Sequence, residues 1–161
     1  MLDKQELEQN VKENKYIVFR LLDEEYGVEV NQVRSIERMQ RITRVPRTPG
    51  FVKGVINLRG VVTPIIDLKT RFGLGEENYT ETTRIIIVAT DEMEVGLIVD
   101  SANDVIDIST DSIEPPPEVV GGIRAAYLEG VAKLQDRLLI LLNLDKVLNS
   151  EELQQLGGME K

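Results

Sequence analysis

Between residues 16 and 148 the chain alternates short aliphatic runs with brief polar breaks, and little of it has helical spacing. Residues 16–22, 61–66, 84–90, 95–99 and 137–143 are rich in Val, Ile and Leu and are bounded by Gly, Asp, Asn or Pro, the pattern of strands. Short amphipathic turns at residues 68–72 and 145–148 follow two of these runs. Many short strands with brief connections predict a mainly β barrel or sandwich rather than a doubly wound α/β sheet. Residues 1–14 form a polar tail, read as a weak helix or disordered lead-in. At the other end Asn149 and Glu152 have capping-box spacing, and Leu153 and Leu156 give a small apolar face before Gly157-Gly158, so a short helix is expected there, with residues 157–161 as an exit.

The same pattern occurs twice. Residues 51–72 align without gaps on residues 127–148, with four identities and seven further positions apolar in both. Residues 25–31 align on 94–100, each preceded by a similar apolar run, and the two blocks come in the same order in each half. Two collinear matches indicate an internal duplication over residues 16–72 and 84–148, and leave open an exchange of strands between the units. In the first copy Arg59-Gly60 is a two-residue hairpin turn, with Gly60 supplying positive φ; Gln135-Asp136 takes its place in the second, where Asp is expected to keep the left-handed turn. Asn31 reads as a helix cap ahead of Val33 and Ile36, which stand three residues apart, with residues 100–106 as the counterpart.

Composition narrows the chemistry. The chain has no Cys, His or Trp, which removes disulfides, thiolate nucleophiles, Cys-type zinc sites and the commonest general base. Carboxylate chemistry survives that filter, but Asp67, Asp91, Asp100, Asp104 and Asp107 do not converge in spacing, so a small carboxylate-dependent hydrolase is only an alternative. Residues 100–104 lack the alternation of a calcium loop, and Gly73-Leu-Gly75 is followed by acids that repel phosphate. No metal or cofactor is expected. The net charge of −9 is uneven: from Arg34 to Arg59 seven basic residues face the single acid Glu37. That segment is either a solvated rim or a patch for an acidic partner; nucleic acid bound through Arg38, Arg41 and Arg44 is the other alternative. The Pro115–Pro117 run reads as a spacer and the Pro46/Pro49 segment as an exposed loop. No apolar run approaches the roughly 18 residues of a membrane span, and the first residues have no hydrophobic signal region, so a cytoplasmic protein is expected.

Residues 23–30, 48–60, 64–68 and 95–100 resemble the CheW family of bacterial chemotaxis coupling proteins, above all in Gly54-Val-Ile-Asn-Leu-Arg-Gly60. The resemblance covers roughly residues 14–156. It implies two five-stranded SH3-like β-barrels with short helices, and an adaptor without catalysis of its own. Such an adaptor links the tip of transmembrane chemoreceptors to the regulatory domain of the chemotaxis histidine kinase, so that receptor state controls autophosphorylation. It also implies recruitment to receptor arrays, a receptor groove between the barrels lined by Val33, Ile36, Gly54, Arg59 and Val105, and a kinase contact on Ile42, Arg44, Val45 and Pro46. The kinase's own regulatory domain and the two-domain coupling proteins share the fold but carry further modules, for which 161 residues leave no room.

Overall fold

The computed structural model describes residues 13–75, 78–90, 93–120 and 123–148; the helix expected after residue 149 lies outside them, as does Asp91. The described chain is mainly β. Its elements are β1 (Glu13–Leu21), β2 (Glu24–Glu29), β3 (Val33–Arg38), β4 (Val52–Leu58), β5 (Val61–Asp67), α1 (Leu68–Arg71), β6 (Arg84–Ala89), β7 (Glu94–Val99), β8 (Ser101–Ser109), β9 (Ile113–Glu114), β10 (Val119–Val120), β11 (Ile123–Arg124), β12 (Leu128–Leu134), β13 (Arg137–Leu142) and α2 (Leu144–Val147). They build a five-stranded sheet in the order β3-β6-β7-β5-β4, a six-stranded sheet in the order β8-β1-β2-β13-β12-β9, and the small ribbon β10-β11.

Strands are exchanged between the halves of the sequence. The first-half hairpin β1-β2 joins the second-half hairpin β12-β13 through a parallel β2-β13 pairing, and β6-β7 joins β4-β5 through a parallel β7-β5 pairing. Both sheets are closed by the same device. The chain leaving edge strand β8 makes one 3₁₀ turn, and its next strand, β9, pairs with β12 at the opposite edge. The chain leaving β3 returns likewise, where Thr43 bridges Val55 of β4 with two 2.8 Å hydrogen bonds. The six-stranded sheet counts one strand more than the five-stranded one because its closing segment is a two-residue strand, whereas the other is a single bridge.

Alternation along the central strands feeds three cores. Tyr16, Val18, Leu139 and Leu141 fill the six-stranded sheet's interior, and Ile56, Ile65, Ile85, Ile87 and Ile98 fill that of the five-stranded sheet. The intervening residues of the same strands, among them Ile17, Phe19, Tyr26, Ile66, Ile86, Leu97, Ile140 and Leu142, form a single larger core between the sheets. Strands buried on both faces read as continuous aliphatic runs, which is why Ile85-Ile-Ile-Val88 shows no alternation in sequence. Gly27 and Gly96 occupy matching interior positions: a Cβ would stand 2.9 Å from Leu141 Cδ2 in one case and 2.5 Å from Ile65 Cδ1 in the other.

Three expectations are corrected. β1 starts at Glu13, so the polar tail is shorter than read. Asn31 lies in a 3₁₀ turn and residues 33–38 are a strand. An extra residue, Arg34, bulges between Val33, opposite Val88, and Ser35, opposite Ile87; the bulge puts Val33 and Ile36 on one face at a spacing that imitates a helix. The hairpin turns also differ. Arg59 and Gly60 both have positive φ, 54° and 87°, but neither Gln135 nor Asp136 does, so the second copy turns without the left-handed pair. The short helices match the sequence reading, each capped by the residue before it: Asp67 accepts from Thr70 N–H and Asn143 from Lys146 N–H.

Because the central core belongs to both sheets, they are expected to unfold together. Ile86→Ala should cost about 3 kcal/mol, and amide hydrogen exchange should show the protection of β1 and β13 falling with that of β6 and β7; loss confined to the five-stranded sheet would contradict a shared core.

Candidate functional site

The edge strands β3 and β8 are equivalent about the junction of the sheets. β3 pairs with β6 through Val33↔Val88 and Ile36↔Ile86, and β8 pairs with β1 through Ala102↔Phe19 and Val105↔Ile17. β6 and β1 are the repeated strands, so Val33 corresponds to Ala102 and Ile36 to Val105. Each lies opposite a residue of the central core and so faces the seam between the sheets. Val33 and Ala102 pack against that core, while Ile36 and Val105 remain 41% and 53% exposed. Of the predicted groove residues, the fold thus places Val33, Ile36 and Val105 along one seam. Ala102 was not among the sequence candidates, although the 69-residue offset that relates Ile36 to Val105 would have found it.

Arg59 stands at the tip of the β4-β5 hairpin, with Val61 and Val62 exposed beside it. It reaches back to β3, where its Nη2 lies 3.7 Å from Glu37 Oε2. Glu37 is largely sheltered and Arg59 largely exposed, so the pair ties the hairpin to β3 while leaving most of the guanidinium accessible.

Gly54 lies under the chain's closing segment. It is buried, with φ +139°, and a Cβ there would overlap the Thr43 carbonyl. The close approach it permits is made by the chain's own closing segment. Gly130 serves the six-stranded sheet in the same way, a Cβ there falling 2.7 Å from the Glu114 carbonyl oxygen.

Beyond Thr43 the chain forms a ledge carrying the other predicted contact. Ile42, Arg44, Val45 and Pro46 line a cavity of about 670 Å³ together with Lys53 and Tyr79. Arg47, also on this ledge, holds a left-handed conformation with φ 63°. The basic segment is therefore an exposed rim along β3 and this loop.

The carboxylates once weighed for catalysis have structural partners. Asp67, fully buried, caps α1 and accepts from Tyr79 O–H at 2.8 Å. Asp100 meets the buried Lys69 Nζ at 2.9 Å and accepts from Leu22 N–H at 2.7 Å, joining α1 to the β1-β2 turn. Asp107 pairs with Lys15 at 3.3 Å, and Asp104 accepts from Val105 N–H. Arg71 was not anticipated. Its guanidinium lies between the rings of Phe51 and Tyr127, 4.8 Å from each centroid, and donates to Tyr127 Oη and the Val147 carbonyl at 3.2 Å. Phe51 and Tyr127 are matched residues of the repeat, as are Arg71 and Val147, so this contact marks the junction of the copies.

Tyr16 and Tyr26 are held in their neutral form. Burial, helped by the Glu24 charge, pushes Tyr26 up to about 12. Burial likewise raises Tyr16, whose hydroxyl donates to Glu129 Oε1 at 3.1 Å and which also feels the Glu129 charge. Glu129 is raised by burial and then by Glu29. Among the described residues no cluster of acidic side chains could hold a metal ion, and no helix is long and apolar enough to cross a membrane.

The CheW-like domain model matches residues 15–152, a span that contains most of β1 and every later strand. The chain belongs to the CheW family. It is 47% identical to the chemotaxis protein CheW of Bacillus subtilis over 140 residues, covering 87% of this chain and 90% of that protein. It is 38% identical to the CheW of Klebsiella aerogenes, covering 91% and 88%. The crystal structure of the scaffolding protein TtCheW from Thermoanaerobacter tengcongensis superposes with a TM-score of 0.80 at 41% identity, covering 88% of this chain and 91% of that one. As a CheW protein the chain is a chemotaxis scaffold, and its family is non-catalytic.

Two outcomes follow. Gly54→Ala should destabilise the fold by about 3 kcal/mol in denaturant titration, through the Thr43 clash and the positive φ; wild-type stability would show that the closing segment yields freely. Glu129→Gln should raise stability at pH 7. A folded carboxyl held above its unfolded value is penalised while ionised, so the advantage should fade as pH falls through the carboxylate range; an advantage constant from pH 7 to pH 4 would assign it to another cause.

Proposed function

We propose that this CheW protein couples the cytoplasmic tips of chemoreceptors to the regulatory domain of the chemotaxis histidine kinase, working in the cytoplasm at receptor arrays. In this reading the two closed sheets are two SH3-like barrels descended from one duplicated unit. Support for the duplication comes from geometry: matched residues of the repeat fill matched cores, carry matched bulges and meet at Arg71 and Val147.

The observation that carries the receptor assignment is the seam. Ile36 and Val105 are equivalent residues of equivalent edge strands, each exposed and each directly across the ladder from a residue of the core between the sheets. An amphipathic helix laid there would extend that core outward, and Val33 would form part of its floor. Arg59, on the hairpin tied to β3, would meet acidic groups of the same helix. Gly54 contributes by closing the sheet that carries β3. The ledge of Ile42, Arg44, Val45 and Pro46 is assigned to the kinase, supported by its separate cavity and its positive charge.

Titration of the purified protein into a receptor-tip fragment and into a kinase regulatory fragment tests the reading, and binding to neither would sink it. Arg59→Ala should weaken the receptor interaction by about thirtyfold, the effect of losing roughly 2 kcal/mol at an interface hot spot, with the melting temperature unchanged. Equal receptor affinity in that variant would remove Arg59 from the contact.

A further inference from the structure

At the end of β3 the ladder sets Arg38 directly across from Arg84 of β6. Opposed residues on neighbouring strands have Cβ atoms about 5 Å apart, close enough for like charges to repel. Carbonyls orient the Arg84 guanidinium, its Nη1 donating to Glu81 O at 2.8 Å and Thr83 O at 2.9 Å. Neither arginine has an ion-pair partner among the described residues.

The other sheet supplies an internal comparison. Its equivalent ladder position sets Lys15 of β1 against Asp107 of β8, and there the charges are opposite and the side chains pair at 3.3 Å. The same backbone site is thus neutralised from within in one copy and left doubly positive in the other. The positive copy borders a cavity of about 430 Å³ lined by Arg38, Met39, Thr80, Glu81, Thr83 and Arg84. Glu81 shares that lining but forms an ion pair with neither arginine.

The site continues the seam. Arg38 lies two residues beyond Ile36 on the same face of β3, about 6.6 Å further along the strand, and Arg84 stands in the same relation to Ile86. On a helix, side chains three or four residues apart lie about 4.5–6 Å apart along the axis. A helix running along β3 can therefore rest an apolar side chain on Ile36 and an acidic one between the arginines. We propose that Arg38 and Arg84 receive the carboxylate of an Asp or Glu on the receptor-tip helix, three or four residues from the side chain that covers Ile36. This rests on the receptor reading of the seam and adds to it a required charge and its spacing.

Arg38→Glu recreates the opposite-charge pair of the other sheet and so occupies the site from within. The variant is expected to melt at or above the wild-type temperature, to bind a receptor-tip fragment at least tenfold more weakly with a flatter dependence on salt, and to bind a kinase regulatory fragment unchanged. Arg38→Gln, which removes charge without adding any, should lose receptor affinity about threefold or more at an unchanged melting temperature. Receptor affinity equal to wild type in both variants overturns the inference, as does a loss confined to the kinase fragment. Failure of the wild-type protein to bind the receptor fragment overturns the coupling reading itself, and with it this site; the wild-type control therefore separates the two failures.

Discussion

Strands β1, β6, β7 and β13 have no free face. Alternate residues of each go to the interior of its own sheet and to the core between the sheets, so their large apolar side chains, apart from the exposed Leu138 at the start of β13, are committed to one of two packed environments. Separating the two sheets would expose Phe19, Tyr26 and Ile140 on one and Leu97 on the other, at about 2 kcal/mol for each large side chain returned to water. Neither sheet is then a plausible separate domain. Strand exchange acts in the same direction, since each sheet takes one hairpin from either half of the sequence and neither can be completed until both halves have been made.

That constraint decides where binding surface can exist. The central strands are occupied, leaving edge strands, hairpin tips and closing segments. β3 and β8 are edge strands on which Ile36 and Val105 lie exposed beside residues of the shared core, so the partner proposed to rest there would add a layer to packing already present. The closing segments restrict the choice further. Because Thr43 and Glu114 each cover a glycine at the opposite edge, the closed margins offer no slot for a foreign backbone.

Much of this organisation was legible in the sequence. The duplicated blocks, the Arg59-Gly60 turn and the two capped helical turns have local causes, and local patterns record them. The residues of the seam were reached through family resemblance, and the register explains their exposure. What local pattern could not show were contacts made at long range. Gly54 carries no local sign of the contact that keeps it small, and only the return of the chain through Thr43 reveals it. Val33 and Ile36 have helical spacing because a bulge at Arg34 rephases a strand, and a bulge is defined by its neighbour. Asp100 and Lys69 become partners only when α1 packs beside the β1-β2 turn.

A duplicated fold carries its own control. Positions whose environment is the same in both copies, such as Gly27 with Gly96, Gly54 with Gly130 and Asp67 with Asn143, answer to architecture, because two sheets with different surroundings demand the same thing. Positions that share a backbone site but differ in chemistry answer to something else. Arg59 faces Gln135 across the repeat, and Arg38 faces Asp107; in both cases the five-stranded copy carries the exposed cation. The basic segment is thus not a uniform solvated rim, since the equivalent β8 margin of the six-stranded sheet is acidic at Asp104, Asp107 and Asp111 while folding in the same way. The fold needs neither charge. On the proposed duplication, the difference breaks the symmetry of the two copies along the proposed receptor seam, giving it a positive wall and a negative wall, and hence a preferred direction for the helix proposed to enter it.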